Sequence, residues 1–386
     1  MKKPNTIIIS LAAVAAVSAA CWLLLVAPGL TGNEVNMTRG VTEHAEMNYS
    51  LHMIALWICA VIGILVFSAM FVSIVLHRKS RGEEPAKFTH STKAEIVWTI
   101  IPVLILIAIA IPGTKGVVLM EVSPETEMTV KITGFQWRWK YDYLEDDISF
   151  ISSLAPDSNA ARRLQSGVVP AQVDNYLLDV DNPLVLPVDT PVKFLITADD
   201  VIHSWWVPDL GWKRDAVPGF INEAWTRIRE PGIYRGQCAE LCGKDHGFMP
   251  IVLKALPKDE YRAWVAEQKQ VAAVEAENVQ RLWSRAELMQ HGESVYATQC
   301  ATCHQADGSG LAPAFPALAG SPVAMGPVEE HIEVVLNGRD GTAMQAFGEM
   351  LTVTDLAAAL TYTRNAFGND TGDVVQPQAI ARIKNG

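Results

Sequence analysis

Two apolar runs joined by a short basic stretch constrain the fold of this chain most. Residues 51–76 and 96–112 are each near the roughly 20 residues that a helix needs to cross the hydrocarbon core of a bilayer. Pro102 lies within the second run and Pro112 ends it. A buried helix in a soluble core is the plain alternative for either run. The connecting stretch 77–93 carries Arg78, Lys79, Arg81, Lys87 and Lys93 against Glu83 and Glu84, so the positive-inside rule places it in the cytoplasm. Everything after about residue 115 then lies on the opposite side. A hydrophobic content of 49% fits a chain of 386 residues that is only partly in lipid.

A third apolar run, from Ile7 to about Val26 behind Lys2 and Lys3, reads as a signal sequence or N-terminal anchor over residues 1–30. Ser18-Ala19-Ala20 offers a small-residue cleavage site. Cys21 after two alanines resembles a lipoprotein box that lacks its usual Leu. Cleavage, retention and lipidation all leave the C-terminal bulk outside. The hairpin is expected over residues 31–120, with helices at about 50–76 and 94–114.

From 121 to 257 the pattern turns to short alternating β-branched and aromatic segments: Met128–Thr133, Gln136–Tyr143, Pro191–Thr197, Ala224–Arg229 and Pro250–Lys254. Several such strands between Pro, Gly and Asp turns predict an all-β sandwich or barrel. Trp137, Trp139, Tyr141 and Tyr143 alternate onto one face of a strand, where core packing is the plain explanation. Residues 152–173, rich in Ser, Ala, Arg and Pro, read as a surface insertion.

Within this domain Cys238, Cys242, His246 and Met249 share one loop, and His203 stands upstream in Val201-Ile-His-Ser-Trp. Thiolates, imidazoles and a thioether together suit copper. One copper ion needs only part of the set, so a binuclear centre is expected, with both thiolates bridging and each ion capped by one His. Met249 and a backbone carbonyl then serve as weak outer ligands. A tetrahedral Cys2His2 zinc site is the alternative, and the cysteine spacing permits it, but zinc leaves Met249 without a role. Of the six cysteines, Cys21 is in the leader and Cys59 in a membrane helix. The rest form two functional pairs, so no disulfide framework remains.

The second pair lies in Cys300-Ala-Thr-Cys303-His304, the pattern of covalent c-type haem attachment with His304 on the iron; a redox-active Cys pair is the alternative. A helix from Ala286 to Gln299 leads into the motif, and a final helix from Val353 to Asn365 closes a small all-α domain over 285–386. Met344, in a glycine-bounded loop, is the expected sixth ligand, with Met325 and Met350 as alternatives. Its Gly-Thr-Ala-Met-x-Ala-Phe stretch is similar to the axial loop of class I cytochromes c. Residues 258–284 read as a helical linker that tethers this domain near the metal loop.

Cys-x-Glu-x-Cys-x3-His-x2-Met, preceded by His-Ser-Trp, resembles the dinuclear copper loop of subunit II of haem-copper cytochrome c oxidases. With a cytochrome c domain fused behind it, the chain resembles the caa3 type. The resemblance implies a multidomain membrane protein: a two-helix transmembrane hairpin, an all-β cupredoxin-like domain and an all-α class I cytochrome c domain. It makes Cys238 and Cys242 the bridging thiolates of the CuA pair, His203 and His246 its terminal imidazoles, and Met249 a weak ligand to one copper. Glu240 gives its backbone carbonyl to the other copper, and its side chain faces a magnesium ion shared with subunit I. Trp137, in Gln-Trp-x-Trp-x-Tyr, becomes the electron entrance over the copper site, although Phe135 stands where many members have His. Glu95, in Lys93-Ala-Glu-Ile, becomes the entrance of a proton channel into the large subunit; an acid stabilised by the helix dipole is the plain alternative.

The function so implied is electron input. A cytochrome c donor reduces haem c, haem c reduces the copper pair, and the copper pair feeds subunit I, which reduces oxygen to water and pumps protons. The catalytic oxygen centre lies in that partner, with further oxidase subunits around it, in a bacterial plasma membrane with the copper and haem domains on the periplasmic or outer side. A membrane-tethered copper and haem shuttle outside any oxidase, or a copper chaperone or sensor, are the alternatives. A net charge of −11 points to a basic donor rather than nucleic acid. Asp142, Glu145, Asp146 and Asp147 are candidates for the steering surface, unless they are simply solvated turn residues.

Overall fold

The computed structural model describes residues 36–385 apart from Glu83, Pro85, Ala86, Leu164, Gln165, Ala314, Asp340, Gly341, Ala343 and Glu349. The leader, with its Ser18–Ala20 cleavage site and Cys21, lies outside the described residues. The chain forms two compact units, one comprising the residues up to Thr126 with Val207–Trp212 and Ala224–Glu230, the other the remainder.

The first unit is built on two helices, Glu43–Leu76 and Thr92–Glu121, both longer than the apolar runs inside them. Thr42 explains the early start of the first: its hydroxyl accepts from the Ala45 N–H at 3.1 Å, a capping bond that brings the polar turn after it into the helix. The apolar windows of both helices are unburied, with mean hydropathies of 2.8 and 2.6. Leu65, Phe67 and Leu106 are 65%, 68% and 66% exposed, as side chains that face lipid are. Gly116 lets the helices close, since a Cβ there would meet the Met47 sulfur at 2.6 Å. The Ala224–Glu230 segment of the same unit locks their ends. The Trp225 indole N–H donates to the Leu119 carbonyl at 3.2 Å, its ring meets His44 at 4.5 Å, and Arg229 pairs with Glu46 at 2.7 Å.

The second unit opens with a sheet of order β3-β2-β1-β5-β8, made of β1 (Met128–Phe135), β2 (Arg138–Tyr143), β3 (Ile148–Ser152), β5 (Val192–Ala198) and the first residues of β8 (Asn222–Thr226). Strand β1 runs antiparallel to β2 and parallel to β5. A second sheet, β4-β10-β9, joins β4 (Leu184–Pro187), β10 (Pro250–Leu256) and β9 (Gly232–Gln237), and a ribbon pairs β6 (His203–Val207) with β7 (Trp212–Ala216). Inward residues Val130, Ile132, Trp139, Tyr141, Phe194, Ile196, Trp205 and Leu253 are fully buried, the two-residue alternation of a cupredoxin-like sandwich. Tyr143 ties the layers: its hydroxyl donates to the Val185 carbonyl and accepts from the Val185 N–H, both at 2.9 Å.

Trp137 departs from the expected aromatic face. Phe135 pairs with Arg138, so Gln136 and Trp137 form a two-residue hairpin turn. Only Trp139, Tyr141 and Tyr143 enter the core. The linker also differs from a free tether. Helix Lys258–Gln280 begins with buried Tyr261 and packs Trp264 against the rings of Tyr143 at 5.3 Å and Phe150 at 6.3 Å. Further along it, Lys269 pairs with Asp146 at 3.0 Å. The acidic cluster is engaged in the same local way. Asp142 pairs with Lys140 at 3.4 Å, and Glu145 accepts from the Thr129 N–H at 2.8 Å. Asp142, Glu145 and Asp146 therefore each have a partner within the β-domain or the helix that follows it.

The C-terminal part is helical. Helix Arg285–Val295 carries a complete Ser284/Glu287 capping box and runs into a π-helical turn, Tyr296–Cys300, and a short helix, Ala301–His304. Gly292 permits a close crossing with helix Val353–Asn365, because a Cβ would lie 2.1 Å from the Ala358 carbonyl. Helix Val328–Asn337 supplies Ile332 and Leu336 to the core. A further helix, Pro377–Asn385, follows the one expected to be last and buries Ile380.

Candidate metal centre and haem pocket

Cys238 to Met249 joins β9 to β10, and the Cys238 N–H closes this loop on the Met249 carbonyl at 3.0 Å. A second backbone bond, Ala239 N–H to the Ser204 carbonyl at 3.0 Å, lays the loop beside the start of β6 and hence beside His203. Strand pairing therefore brings together residues that are far apart in sequence. The Cys238 and Cys242 sulfurs are 3.8 Å apart. His203 Nδ1 is 3.9 Å from Cys238 Sγ, and His246 Nδ1 is 3.6 Å from Cys242 Sγ. The Glu240 carbonyl lies 3.3 Å from Cys238 Sγ, and Met249 is buried at the end of the loop.

The surroundings hold this set in place. His203 is completely buried, and its Nε2 lies 2.9 Å from Asp200 Oδ1, so the carboxylate accepts from Nε2–H and leaves the Nδ1 lone pair toward Cys238. Gly134 of β1 lies under the ring, where a Cβ would come within 2.8 Å of His203 Cδ2. The Cys242 carbonyl accepts from Gln136 Nε2 at 2.8 Å and from the Trp137 indole at 3.2 Å. Gly243, at φ +120°, leaves room for both donors. Electrostatics fit a cation. The contact with Cys242 lowers the pKa of Cys238, and the same contact raises that of Cys242, because two adjacent thiols cannot both ionise without positive charge between them. Burial disfavours the His203 imidazolium, yet hydrogen bonding to Asp200 and Cys238 outweighs it and raises that pKa. Two thiols, one imidazole, a thioether and a carbonyl from the loop, with the buried His203 imidazole of β6 beside them, fit a soft binuclear metal centre.

Cys300, Cys303, His304 and Met344 line one cavity of about 590 Å³. His304 Nδ1 is 2.8 Å from the Pro316 carbonyl, which assigns the proton to Nδ1 and frees Nε2 to bind a metal. Burial pushes the Cys300 thiol up to about 12, as expected for a thiol set in an apolar pocket. His331 Nδ1 and Gln345 Oε1 are buried in the lining with no hydrogen-bond partner among the described residues. A partly open, largely apolar cavity bearing two thiols, a metal-binding imidazole and buried polar atoms fits an attached porphyrin. Met325 is exposed and Met350 is packed into the helical core. Neither lines the cavity, whereas Met344 does.

Trp137 and Arg138 line the same cavity, at the hairpin tip that also contacts Cys242. Glu95 belongs to the first unit, exposed in the first turn of its helix. Sequence patterns did not disclose Asp200, Gly134, Gln136, Arg138 or Gln299. The one available signal was an acid three residues before a candidate ligand His.

A helical membrane hairpin, a β-domain with a soft-metal loop and a helical module with a haem-attachment motif define a membrane-anchored electron-transfer subunit. Residues 31–115 match the family "Cytochrome C oxidase subunit II, transmembrane domain" and residues 128–256 match "Cytochrome C oxidase subunit II, periplasmic domain". Residues 287–362 match "Cytochrome C oxidase, cbb3-type, subunit III". The chain is 42% identical over 229 residues to the probable cytochrome c oxidase subunit 2 of Rickettsia bellii, covering 59% of this chain and 81% of that one. It is 38% identical over 220 residues to cytochrome c oxidase subunit 2 of Cereibacter sphaeroides, covering 55% and 73%. Among solved structures, the periplasmic domain of subunit II (CoxB) of Bradyrhizobium japonicum is similar at 37% identity, covering 39% of this chain and 98% of that one, with a TM-score of 0.33. The chain belongs to the cytochrome c oxidase subunit 2 family, with a cytochrome c domain fused at its C-terminal end. It is the electron-input component of an oxidoreductase complex, and its family implies CuA and haem c. The shuttle, chaperone and sensor alternatives find no support.

Proposed function

We propose that Cys238, Cys242, His203, His246, Met249 and the Glu240 carbonyl hold the copper pair, and that Cys300, Cys303, His304 and Met344 hold haem c. One observation carries this assignment: the Trp137 hairpin tip lines the cavity of the haem-attachment motif and also donates to the Cys242 carbonyl at 3.2 Å. When bound, the two groups would supply one-electron redox chemistry. The chain's own residues do the rest. Asp200 fixes the His203 tautomer, the two backbone bonds at Cys238 and Ala239 hold the loop, and burial excludes water. A centre so held reorganises little when its charge changes. Trp137 bridges the two sites as the electron entrance.

The finer roles follow the same assignment. The two cofactor domains lie on the periplasmic side of a bacterial plasma membrane, opposite the basic 77–93 stretch. A cytochrome c is the donor, and subunit I with further oxidase subunits is the acceptor complex. The Glu240 side chain would hold a magnesium ion at that junction, and Glu95 would start a proton path into subunit I. Purification from membranes in mild detergent tests the assignment. Two copper ions and one covalent haem per chain are expected, with an electron-spin signature of one electron shared by both coppers and a large haem-containing partner. Zinc in the loop, or one isolated copper, would overturn it.

A further inference from the structure

Arg138 opens β2, yet its side chain lies in the cavity beside Cys300, Cys303, His304 and Met344. The residue is 8% exposed. Its guanidinium donates from Nη1 to Gln299 Oε1, one residue before Cys300, and stands 5.4 Å from the centroid of the Phe347 ring. Both partners are neutral. Among the described residues no carboxylate lies within ion-pair distance of it. The carboxylates that influence it from farther away belong to Asp181 and Asp200. Asp181 accepts the Ser153 and Asn182 N–H groups, and Asp200 accepts those of Gln136 and Val201.

A buried cation with only neutral partners is costly unless an anion completes its surroundings. Burial already pulls the Arg138 pKa down, which shows how poorly the protein alone solvates it. The group that fits this cavity brings anions with it, because a haem carries carboxylate side chains. The β-domain is also held against the haem module at this point. Gln345 Nε2 donates to the Gln136 carbonyl at 3.1 Å, and Phe135 packs into a core with Leu336 and Phe347. Arg138 is therefore pinned from both sides rather than swinging free.

We infer that Arg138, a residue of the copper domain, completes the haem pocket as the counter-charge to the carboxylates of the attached porphyrin. The inference rests on haem attachment at Cys300 and Cys303. It means that the haem site is incomplete without the β-domain. It also means that the residue next to Trp137 tunes the haem. A positive charge near the porphyrin disfavours the more positive, oxidised iron, so Arg138 raises the reduction potential of haem c.

The test is potentiometric titration of the haem c absorption band in the detergent-purified full-length protein, with covalent haem quantified in parallel. Arg138→Gln, which keeps a donor but loses the charge, is expected to shift the haem equilibrium toward the oxidised form on the order of tenfold, about 59 mV for a one-electron couple. Arg138→Lys keeps the charge and is expected to stay within about threefold of wild type. Arg163→Gln is the control: Arg163, on the β-domain like Arg138, reaches the Ala297 carbonyl of the haem module at 3.4 Å but does not line the cavity. A haem-loaded Arg138→Gln protein that shifts no further than the control overturns the inference. If Arg138→Gln holds no haem, Arg138→Lys decides. A near-wild-type potential supports the inference; failure of the Lys variant to hold haem overturns it, because charge is then not what the pocket requires. Absence of covalent haem from the wild-type protein would instead refute the underlying haem assignment.

Discussion

Replacing Asp200 with Asn changes one oxygen to an amide group and should loosen the copper centre without touching a ligand. Asp200 accepts three bonds: His203 Nε2 at 2.9 Å and the Val201 N–H at 2.6 Å on Oδ1, and the Gln136 N–H at 2.7 Å on Oδ2. An Asn offers one acceptor oxygen and one NH2 group to the same three partners. If the NH2 faces His203, the ring adopts the tautomer with its proton on Nδ1, aimed at Cys238, and loses its ligand lone pair. If it faces Gln136, two donors oppose each other and a backbone N–H is left unpaired, at a cost of about 1–3 kcal/mol. Either way, removal of a group that orients a metal-binding His lowers metal affinity by roughly 10–100-fold, or about 1.4–2.7 kcal/mol. Competition of the full-length protein against a graded copper chelator, followed by the shared-electron signature, measures this directly. Copper retention within about twofold of wild type at every chelator concentration would show that Asp200 does not set the His203 tautomer.

Three further outcomes follow from the structure. Tyr143→Phe removes the one hydroxyl that serves both the N–H and the C=O of buried Val185, so it should destabilise the β-domain by about 2–4 kcal/mol, read as a lowered thermal midpoint by near-ultraviolet dichroism. His291 Nε2 lies 2.7 Å from Asp355, and hydrogen bonding to that acid raises the His291 pKa despite partial burial. The pair's contribution is therefore complete below the ordinary His value near 6.5 and fades as pH rises through the raised one. At this half-exposed position the effect should stay below about 1 kcal/mol, and His291→Gln should abolish that part of the pH dependence of unfolding. Glu95→Ala should slow oxygen turnover while leaving haem-to-copper transfer, followed by stopped-flow absorbance, at its wild-type rate. Equal loss of both would remove Glu95 from the proton path.

Much of the centre was legible because its ligands lie close together in the chain. Cys238, Cys242, His246 and Met249 sit in one loop, and Cys300, Cys303 and His304 in one turn, so their spacing alone carries the chemistry. The membrane helices were legible for a different reason. Length and apolarity suffice where lipid is the solvent, although the Thr42 cap moved a boundary that apolarity could not mark. Alternation misled at Trp137, because a two-residue turn and a strand residue share the same sequence pattern until pairing is known. The linker was read as a tether because its composition is polar and helical. Trp264 and Tyr261, which anchor it to the β-domain, are only two positions in that pattern.

The sequence by itself determined which atoms are available: the soft ligands, the haem-attachment thiols, and the apolar length that commits the N-terminal part to a bilayer. Tertiary structure alone decided what surrounds them. Parallel pairing of β1 with β5 carries Gly134 alongside Ala198, near Asp200 and beneath His203. The hairpin tip after Phe135 delivers Trp137 and Arg138 to a cavity lined by residues far along the chain. Strand register and helix packing are collective outcomes of burying many side chains at once. A residue's role in orienting or charging a distant site is therefore written in no local spacing.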